Sequence, residues 1–315
     1  MTGLILLLGI AKLPNVGATR AIPLDLLSVG LSAVGFGGLV YGLSSMSAML
    51  AGEGTTEILI TAAGVLALIS FVLRQNALAK DERALMDLRA FSYRNYTLSI
   101  ILMLLAFALF LGLVTVLPIY LQTSLGATAA IAGLVVMPGG LIQGLISPFI
   151  GRIFDAVGPR PLMIPGAAFM VVAMWGLALA LSDATPLWLI VTCHVLFAVG
   201  VGMLMTPLMT TSLASLPGHL YGHGSAIMNT LQQLAGAAGT AILVVVLTRG
   251  TAAATANGHA IEHATARGAH WAFACAGVLS LVVLGLTPFI KRAGGAEAAS
   301  ESISSGNASS ESHNG

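Results

Sequence analysis

The 315-residue chain is rich in apolar residues and carries very little charge. Hydrophobic residues make up 57% of the sequence and charged residues 8%, and the mean hydropathy is +0.95. A soluble domain has roughly 25% charged residues, and such an apolar excess cannot be buried in one soluble core. The composition therefore excludes a soluble enzyme and a disordered protein, and the net charge of +1 offers no basic face for nucleic acid. We expect a polytopic membrane protein.

The chain begins with an apolar run, residues 1–13, that is too short to span a bilayer. A signal peptide needs basic residues before its apolar core, and none precede this run. A signal peptide is therefore the less favoured alternative. We interpret residues 1–13 as the remnant of a longer transmembrane helix.

Eight further apolar runs reach the roughly 20 residues that a membrane-spanning helix requires. The runs are long and unbroken, so we predict an all-α polytopic membrane protein. They cover residues 24–46, 56–74, 98–121, 128–150, 162–182, 187–209, 226–247 and 271–290. Two predicted spans lie at 24–74 and six at 98–290, with a cytoplasmic linker predicted at 75–97 and a disordered tail at 291–315.

The basic residues predict the orientation of the chain in the membrane. Eleven of the 13 Lys and Arg residues fall on one side of the alternating loops, and only Arg249 and Arg267 fall on the other. Short cytoplasmic loops carry the excess of basic residues. We therefore expect a multi-pass protein of a bacterial inner or plasma membrane, with the 75–97 loop, the 151–161 loop and the C-terminus in the cytoplasm.

The most distinctive motif, GRIFDAVGPRP at 151–161, joins two predicted spans by a tight cytoplasmic turn. Asp155 and Arg160 are close enough in sequence to pair, and Gly151 and Gly158 permit a close approach of the backbone. A basic loop that only sets the topology would explain the same residues. We favour a hinge.

This motif resembles the cytoplasmic signature of the major facilitator superfamily, G-x-x-x-D-(R/K)-x-G-(R/K)-(R/K). The matching residues are Gly151, Asp155, Gly158 and Arg160, with Arg152 inside the motif. Ala156 and Pro161 stand where the signature usually has a base. The resemblance implies a gating role for the motif, with a weaker charge network than usual.

Other segments resemble the 14-span drug:proton antiporters of the EmrB/QacA type. The similar segments are Pro23–Asp25 with 35–42, 117–122, 137–140 and 223–239. The resemblance implies the C-terminal part of such a transporter, with an extra helix pair before the six-helix bundle. It further implies efflux of small amphipathic substrates across the lipid bilayer, a proton gradient as energy source, no cofactor, and an N-terminal half as the remaining part or partner.

Four residues of the span at 226–247 share one helical face. They are Asn229, Gln232, Gln233 and Gly236, at spacings of three, four and seven. Polar residues inside a membrane are costly and often functional, so this face is a candidate wall of a substrate cavity. Hydrogen bonding between helices is the alternative use of the same side chains.

Two more polar residues lie within spans. Gln143 shares a helical face with Gly139 and Ser147, and both interpretations apply to it as well. His194 lies deep in a span and could carry a proton, since its pKa is ordinarily near neutrality. We favour a buried neutral imidazole that pairs across helices.

Residues 259–263 read H-x-x-E-H, an inverted zinc-protease pattern. It lies in a predicted outer loop with no third ligand after it, so we predict no metal site and no enzyme. His219 and His223, also four residues apart, fall in a glycine-rich turn that we interpret as a flexible connector. A membrane enzyme would need a central acid pair or metal cluster. A truncated or decayed product, or a half-transporter subunit without activity of its own, is the alternative to a transporter.

Overall fold

The structure is a computed structural model, and it describes residues 25–52, 54–81 and 84–290. These residues form nine α-helices and no strand. The helices are α1 (Leu26–Ser44), α2 (Met46–Ala51), α3 (Thr55–Leu78), α4 (Arg94–Thr123), α5 (Ala129–Val157), α6 (Arg160–Ala180), α7 (Leu187–Ala214), α8 (Gly218–Ala256) and α9 (Ile261–Leu286). The predicted remnant at 1–13 and the predicted tail at 291–315 lie outside the described residues.

All the described helices except α2 are long and apolar enough to cross a membrane. Each of these eight corresponds to one predicted run, and the all-α polytopic fold is therefore confirmed. Many of the large apolar side chains point away from the protein: Leu179 is 75% exposed and Leu145 is 71% exposed. Such exposure is expected where lipid rather than water surrounds the helix.

Helices α4 to α9 form one bundle around a continuous core. Helix α8 packs along α4 and α9, α7 packs along α5 and α6, and α9 also contacts α6. The largest fully buried side chains include two tyrosines and two phenylalanines, Tyr96, Tyr120, Phe197 and Phe273. Each tyrosine hydroxyl donates to a main-chain carbonyl, Tyr96 to Gly224 at 2.9 Å and Tyr120 to Ser182 at 2.5 Å. Burying these hydroxyls therefore leaves neither donor unsatisfied.

The extra pair, α1 and α3, is held together by small residues. A methyl group on Gly38 would lie 2.7 Å from the Cα of Gly64, so only glycine allows these two backbones to approach so closely. Gly42 of α1 lies against Thr61 of α3 in the same way. The pair is therefore tightly packed within itself, and its contact with the bundle is made through α8.

Two segments predicted as connections are partly helical. Helix α3 runs to Leu78 and α4 begins at Arg94, so the connection between the pair and the bundle is shorter than the predicted 75–97 linker. The glycine-rich segment at 218–224 is the first two turns of α8, not a flexible connector. Gly224 is buried there against Leu216 and Tyr96, and this packing offsets the low helix propensity of glycine.

Candidate functional site

The 151–161 motif is mostly helix, and its turn is only two residues long. Helix α5 continues to Val157, and α6 begins at Arg160. Gly158 ends α5 with φ 81° and ψ −174°, a conformation that is essentially restricted to glycine. Its N–H donates to the carbonyl of Phe154 at 2.8 Å. The tight turn is therefore present, but it is shorter than the predicted 151–161 loop, because α5 continues for seven residues beyond the predicted apolar run.

The charged residues of the motif lie at the exposed end of α5 and the start of α6. The Arg152 guanidinium lies 6.0 Å from the ring centroid of Phe149. Arg160 donates from Nε to the carbonyl of Ile290 at 2.7 Å and so links the start of α6 to the segment after α9. The pairing of Asp155 with Arg160 stays a prediction.

Asp155 lines a cavity of about 230 Å³ between the ends of α5 and α7. The other lining residues include Gly158 and two threonines of α7, Thr210 and Thr211. The gating role that the resemblance implies for Asp155 and Gly158 stays a prediction.

The candidate residues of α8 differ in their surroundings. Asn229 is exposed, and its amide nitrogen donates to the carbonyl of Ser225 in its own helix at 3.0 Å. Gln232 is half-buried, and Gln233 is exposed along a cavity beside α1. Gly236 packs tightly against Leu111 of α4. The face thus combines accessible polar groups with one close helix contact, and its role as a substrate wall stays a prediction.

His194 lies between α5 and α7 and is 2% exposed. Its Nε2 is 3.1 Å from the carbonyl oxygen of Val136 in α5. Gly139 makes room for the ring, because a methyl group there would lie 2.6 Å from two imidazole atoms. This is the hydrogen bond between helices that the sequence analysis favoured. Since a carbonyl only accepts, Nε2 carries the hydrogen.

Gln143 also lies against α7. A methyl group added at Gly202 of α7 would be 3.4 Å from the Cγ atom of Gln143, so the two positions are neighbours. Gln143 and His194 therefore share the α5–α7 interface. Asn229, Gln232 and Gln233 lie on α8, which packs on α4 and α9. The predicted cavity residues thus occupy two places in the bundle.

A polar network that could not be identified from the sequence lies where α1 begins and α3 ends. Arg74 binds Asp25 through both carboxylate oxygens, at 2.7 and 2.9 Å, and Ser28 donates to the same carboxylate at 2.5 Å. These hydrogen bonds hold the pKa of Asp25 well below its usual range, and the bond from Arg74 has the largest effect. Gln75 is fully buried and donates to Ser28 at 2.8 Å. An acid just before one span and a base at the end of the next span could have indicated this pair.

The network extends into the connection before α4. The Oε1 atom of Gln75 accepts from the backbone N–H of Met86 at 3.1 Å. On the other side, Nδ1 of His223 in α8 is 3.1 Å from the carbonyl oxygen of Leu85. Asp87 is 4% exposed and binds the Arg89 guanidinium, and this hydrogen bonding lowers the pKa of Asp87. His223, predicted to lie in a flexible turn, therefore has a fixed contact.

A histidine near the start of α9 makes a weak polar contact. Nδ1 of His263, near the start of α9, lies 3.3 Å from a carboxylate oxygen of Asp183 in the α6–α7 connection. Both side chains are about half exposed, so the contact contributes little to stability. The contact links the start of α9 to the α6–α7 connection.

Comparison with known proteins agrees with this architecture, which is that of a polytopic membrane transporter. A family model described as Major Facilitator Superfamily matches residues 4–240. The chain belongs to the major facilitator superfamily, and the predicted family is confirmed.

Several relatives carry names that refer to drug resistance. Lincomycin resistance protein LmrB of Listeria monocytogenes is 42% identical over 245 residues, which cover 78% of this chain and 51% of the relative. LmrB of Bacillus subtilis is 38% identical over 301 residues, which cover 92% of this chain and 61% of the relative. The probable multidrug resistance protein EmrY of Escherichia coli is 26% identical over 228 residues, which cover 72% and 44%. The chain spans about half the length of the curated relatives it matches.

Proposed function

We propose that the chain acts in secondary active efflux of small amphipathic compounds by proton antiport. The observation that carries this proposal is the similarity to lincomycin resistance proteins over most of the chain. The family membership supports a transporter and not an enzyme. Lincomycin is therefore the first compound to test.

In this proposal the bundle α4–α9 forms one wall of the substrate path. Asn229, Gln232 and Gln233 on α8 supply hydrogen-bonding groups along that wall, and Gln143 supplies another at the α5–α7 interface. Asp155 and Arg160 stabilise one state of the cytoplasmic gate, while Gly158 allows the sharp junction between α5 and α6. The N-terminal half that the resemblance implies forms the opposite wall.

The proposed setting is the bacterial inner or plasma membrane, with the C-terminus in the cytoplasm. The proton gradient supplies the energy, so the transporter needs no cofactor. His194 donates to a carbonyl within the bundle, so in this proposal it holds α5 against α7 and does not carry the coupled proton.

The test is accumulation of radiolabelled lincomycin in a sensitive bacterium that expresses the chain, with and without an added N-terminal half from LmrB. We expect the complete assembly to lower accumulation and a protonophore to abolish the effect. Activity that survives the protonophore would contradict antiport. Activity only with the added half would identify this chain as a half-transporter, whereas no activity in either case would contradict the proposal.

A further inference from the structure

The contact between the extra pair and the bundle differs from the other helix contacts of the protein. We call it the hairpin seam and define it as α1, α2 and α3 on one side and α8 on the other. Within the bundle, Gly239 of α8 lies directly against the backbone of Ala108 in α4, and Gly250 of α8 lies against Gly268 of α9. Helix α1 uses its close-contact glycines, Gly38 among them, against α3 and not against α8.

Hydrogen bonds fix the hairpin seam at both ends. At the outer end, Arg249 of α8 donates from Nη2 to the carbonyl of Leu50 in α2 at 2.6 Å. At the cytoplasmic end, Gln75 of α3 and His223 of α8 bind the backbone of adjacent residues, Met86 and Leu85. The extra pair and the bundle are therefore held in a defined register, although few side chains pack directly between them.

Between these ends the hairpin seam contains two successive cavities. The first, of about 260 Å³, is lined by Thr230 and otherwise by apolar side chains from the pair, the connection and α8. Its aromatic and sulfur-containing members are Phe36, Phe71, Phe91 and Met86. Such side chains form adaptable apolar binding surfaces.

The second cavity, of about 530 Å³, follows directly along α8 toward the outer side. Its wall contains Ser44, Ser47, Gln233 and Thr240 among apolar residues. None of the described residues that line either cavity is charged. Together the cavities present an apolar section followed by a section with neutral hydrogen-bonding groups.

The depth of the polar section argues against a phospholipid headgroup. With a rise of about 1.5 Å per residue, Gln233 and Thr240 lie within about 6 Å of the midpoint of α8. A headgroup lies at the membrane surface, about 15 Å from the midplane, and its phosphate would require a base. A ligand with an apolar body would match the first cavity, and a small neutral polar group attached to that body would match the hydrogen-bonding groups of the second.

We propose that the hairpin seam is a binding site for a small amphipathic compound whose polar groups are uncharged. Its apolar body occupies the cavity beside Phe36 and Phe71, and its polar groups bind Gln233 and Thr240. The ligand class rests on the proposed efflux function, and the site shares Gln233 with the substrate wall proposed there. The extra pair thereby takes part in ligand binding as well as in structure.

The test measures binding to the membrane-embedded chain in nanodiscs by equilibrium dialysis, with empty nanodiscs as background. The probes are two uncharged amphipathic compounds, radiolabelled chloramphenicol and N-phenyl-1-naphthylamine. Ala237→Trp places an indole in the second cavity, and we expect it to weaken binding of at least one probe by about tenfold or more. Ala252→Trp is the matched control, because Ala252 is exposed on the same helix and lines neither cavity.

A second variant keeps the test valid if the indole disturbs folding. Thr240→Val removes a polar group of the second cavity that the proposed substrate wall does not use, nearly preserves its volume, and should cause the same loss for a probe with polar groups. Unchanged binding in both variants would overturn the proposal, and so would a wild-type chain that binds neither probe. Native mass spectrometry that shows a phospholipid retained in wild type and lost in Ala237→Trp would also overturn it. Efflux is measured separately, so each proposal can fail alone.

Discussion

The two glycines of the cytoplasmic motif should respond very differently to the same substitution. Gly158 has φ 81° and ψ −174°, whereas Gly151 lies inside α5 with open space where a side chain would go. An alanine at position 158 would be forced into a region that costs about 1–3 kcal/mol. An alanine at 151 keeps helical geometry and contributes up to about 1 kcal/mol of helix propensity.

We therefore expect Gly158→Ala to lower the stability by about 1–3 kcal/mol and Gly151→Ala to leave it unchanged or raise it. The measurement is thermal unfolding of both purified variants in the same detergent, together with lincomycin accumulation in cells. If the strain differs between two states of the α5–α6 junction by about 1.4 kcal/mol, the ratio of those states changes tenfold. Equal unfolding temperatures for the two variants would refute this reasoning.

Three further predictions concern contacts outside the motif. Gly239→Ala should destabilise the bundle by about 1–3 kcal/mol, because the methyl group would overlap the backbone of α4. Gly133→Ala is the control and should be tolerated, because open space surrounds that position. Thermal unfolding of the two variants tests the difference. Gln75→Leu should cost about 1–3 kcal/mol, because it leaves the backbone N–H of Met86 without its acceptor and removes the hydrogen bond to Ser28, and faster hydrogen exchange in the connection before α4 would show the loss. Asp87→Asn should lower the free energy of unfolding at pH 7, and the difference from wild type should narrow below about pH 4. The reason is that the lowered pKa of Asp87 gives its full stabilisation only above the pKa of the unfolded state, and the stabilisation is lost as pH falls toward the pKa of the folded state. Unfolding of both proteins across pH 3–7 measures this difference, and a difference that does not change with pH would contradict the prediction.

The eight spans could be predicted from sequence because each depends on a single strong signal, about 20 consecutive apolar residues. Their ends could not, because that signal stops where polar residues begin, while the helix continues. Helix α8 shows the difference: the apolar run covers 226–247, but the helix extends from Gly218 to Ala256. Its glycine-rich first turns are helical because Gly224 is buried against Tyr96, a contact from another part of the chain.

The candidate site was only partly predictable for a similar reason. Helical spacing placed Asn229, Gln232 and Gln233 on one helix face correctly. Spacing cannot tell which neighbouring helix lies opposite, so it could not separate the α8 residues from Gln143 and His194 at the α5–α7 interface. The hydrogen bond of His194 to a backbone carbonyl has no sequence signature, since any residue could supply that carbonyl.

Small residues explain why the hairpin seam is loose while the contacts beside it are tight. Lipid supplies no hydrophobic force between helices, so close packing depends on backbones that can approach each other. Gly38 against Gly64, and Gly239 against Ala108, provide that approach for the α1–α3 and α4–α8 contacts. In the hairpin seam, hydrogen bonds at the ends fix the helices instead, and the space between them remains open. A cavity can therefore persist there without loosening either of the two bodies that form it.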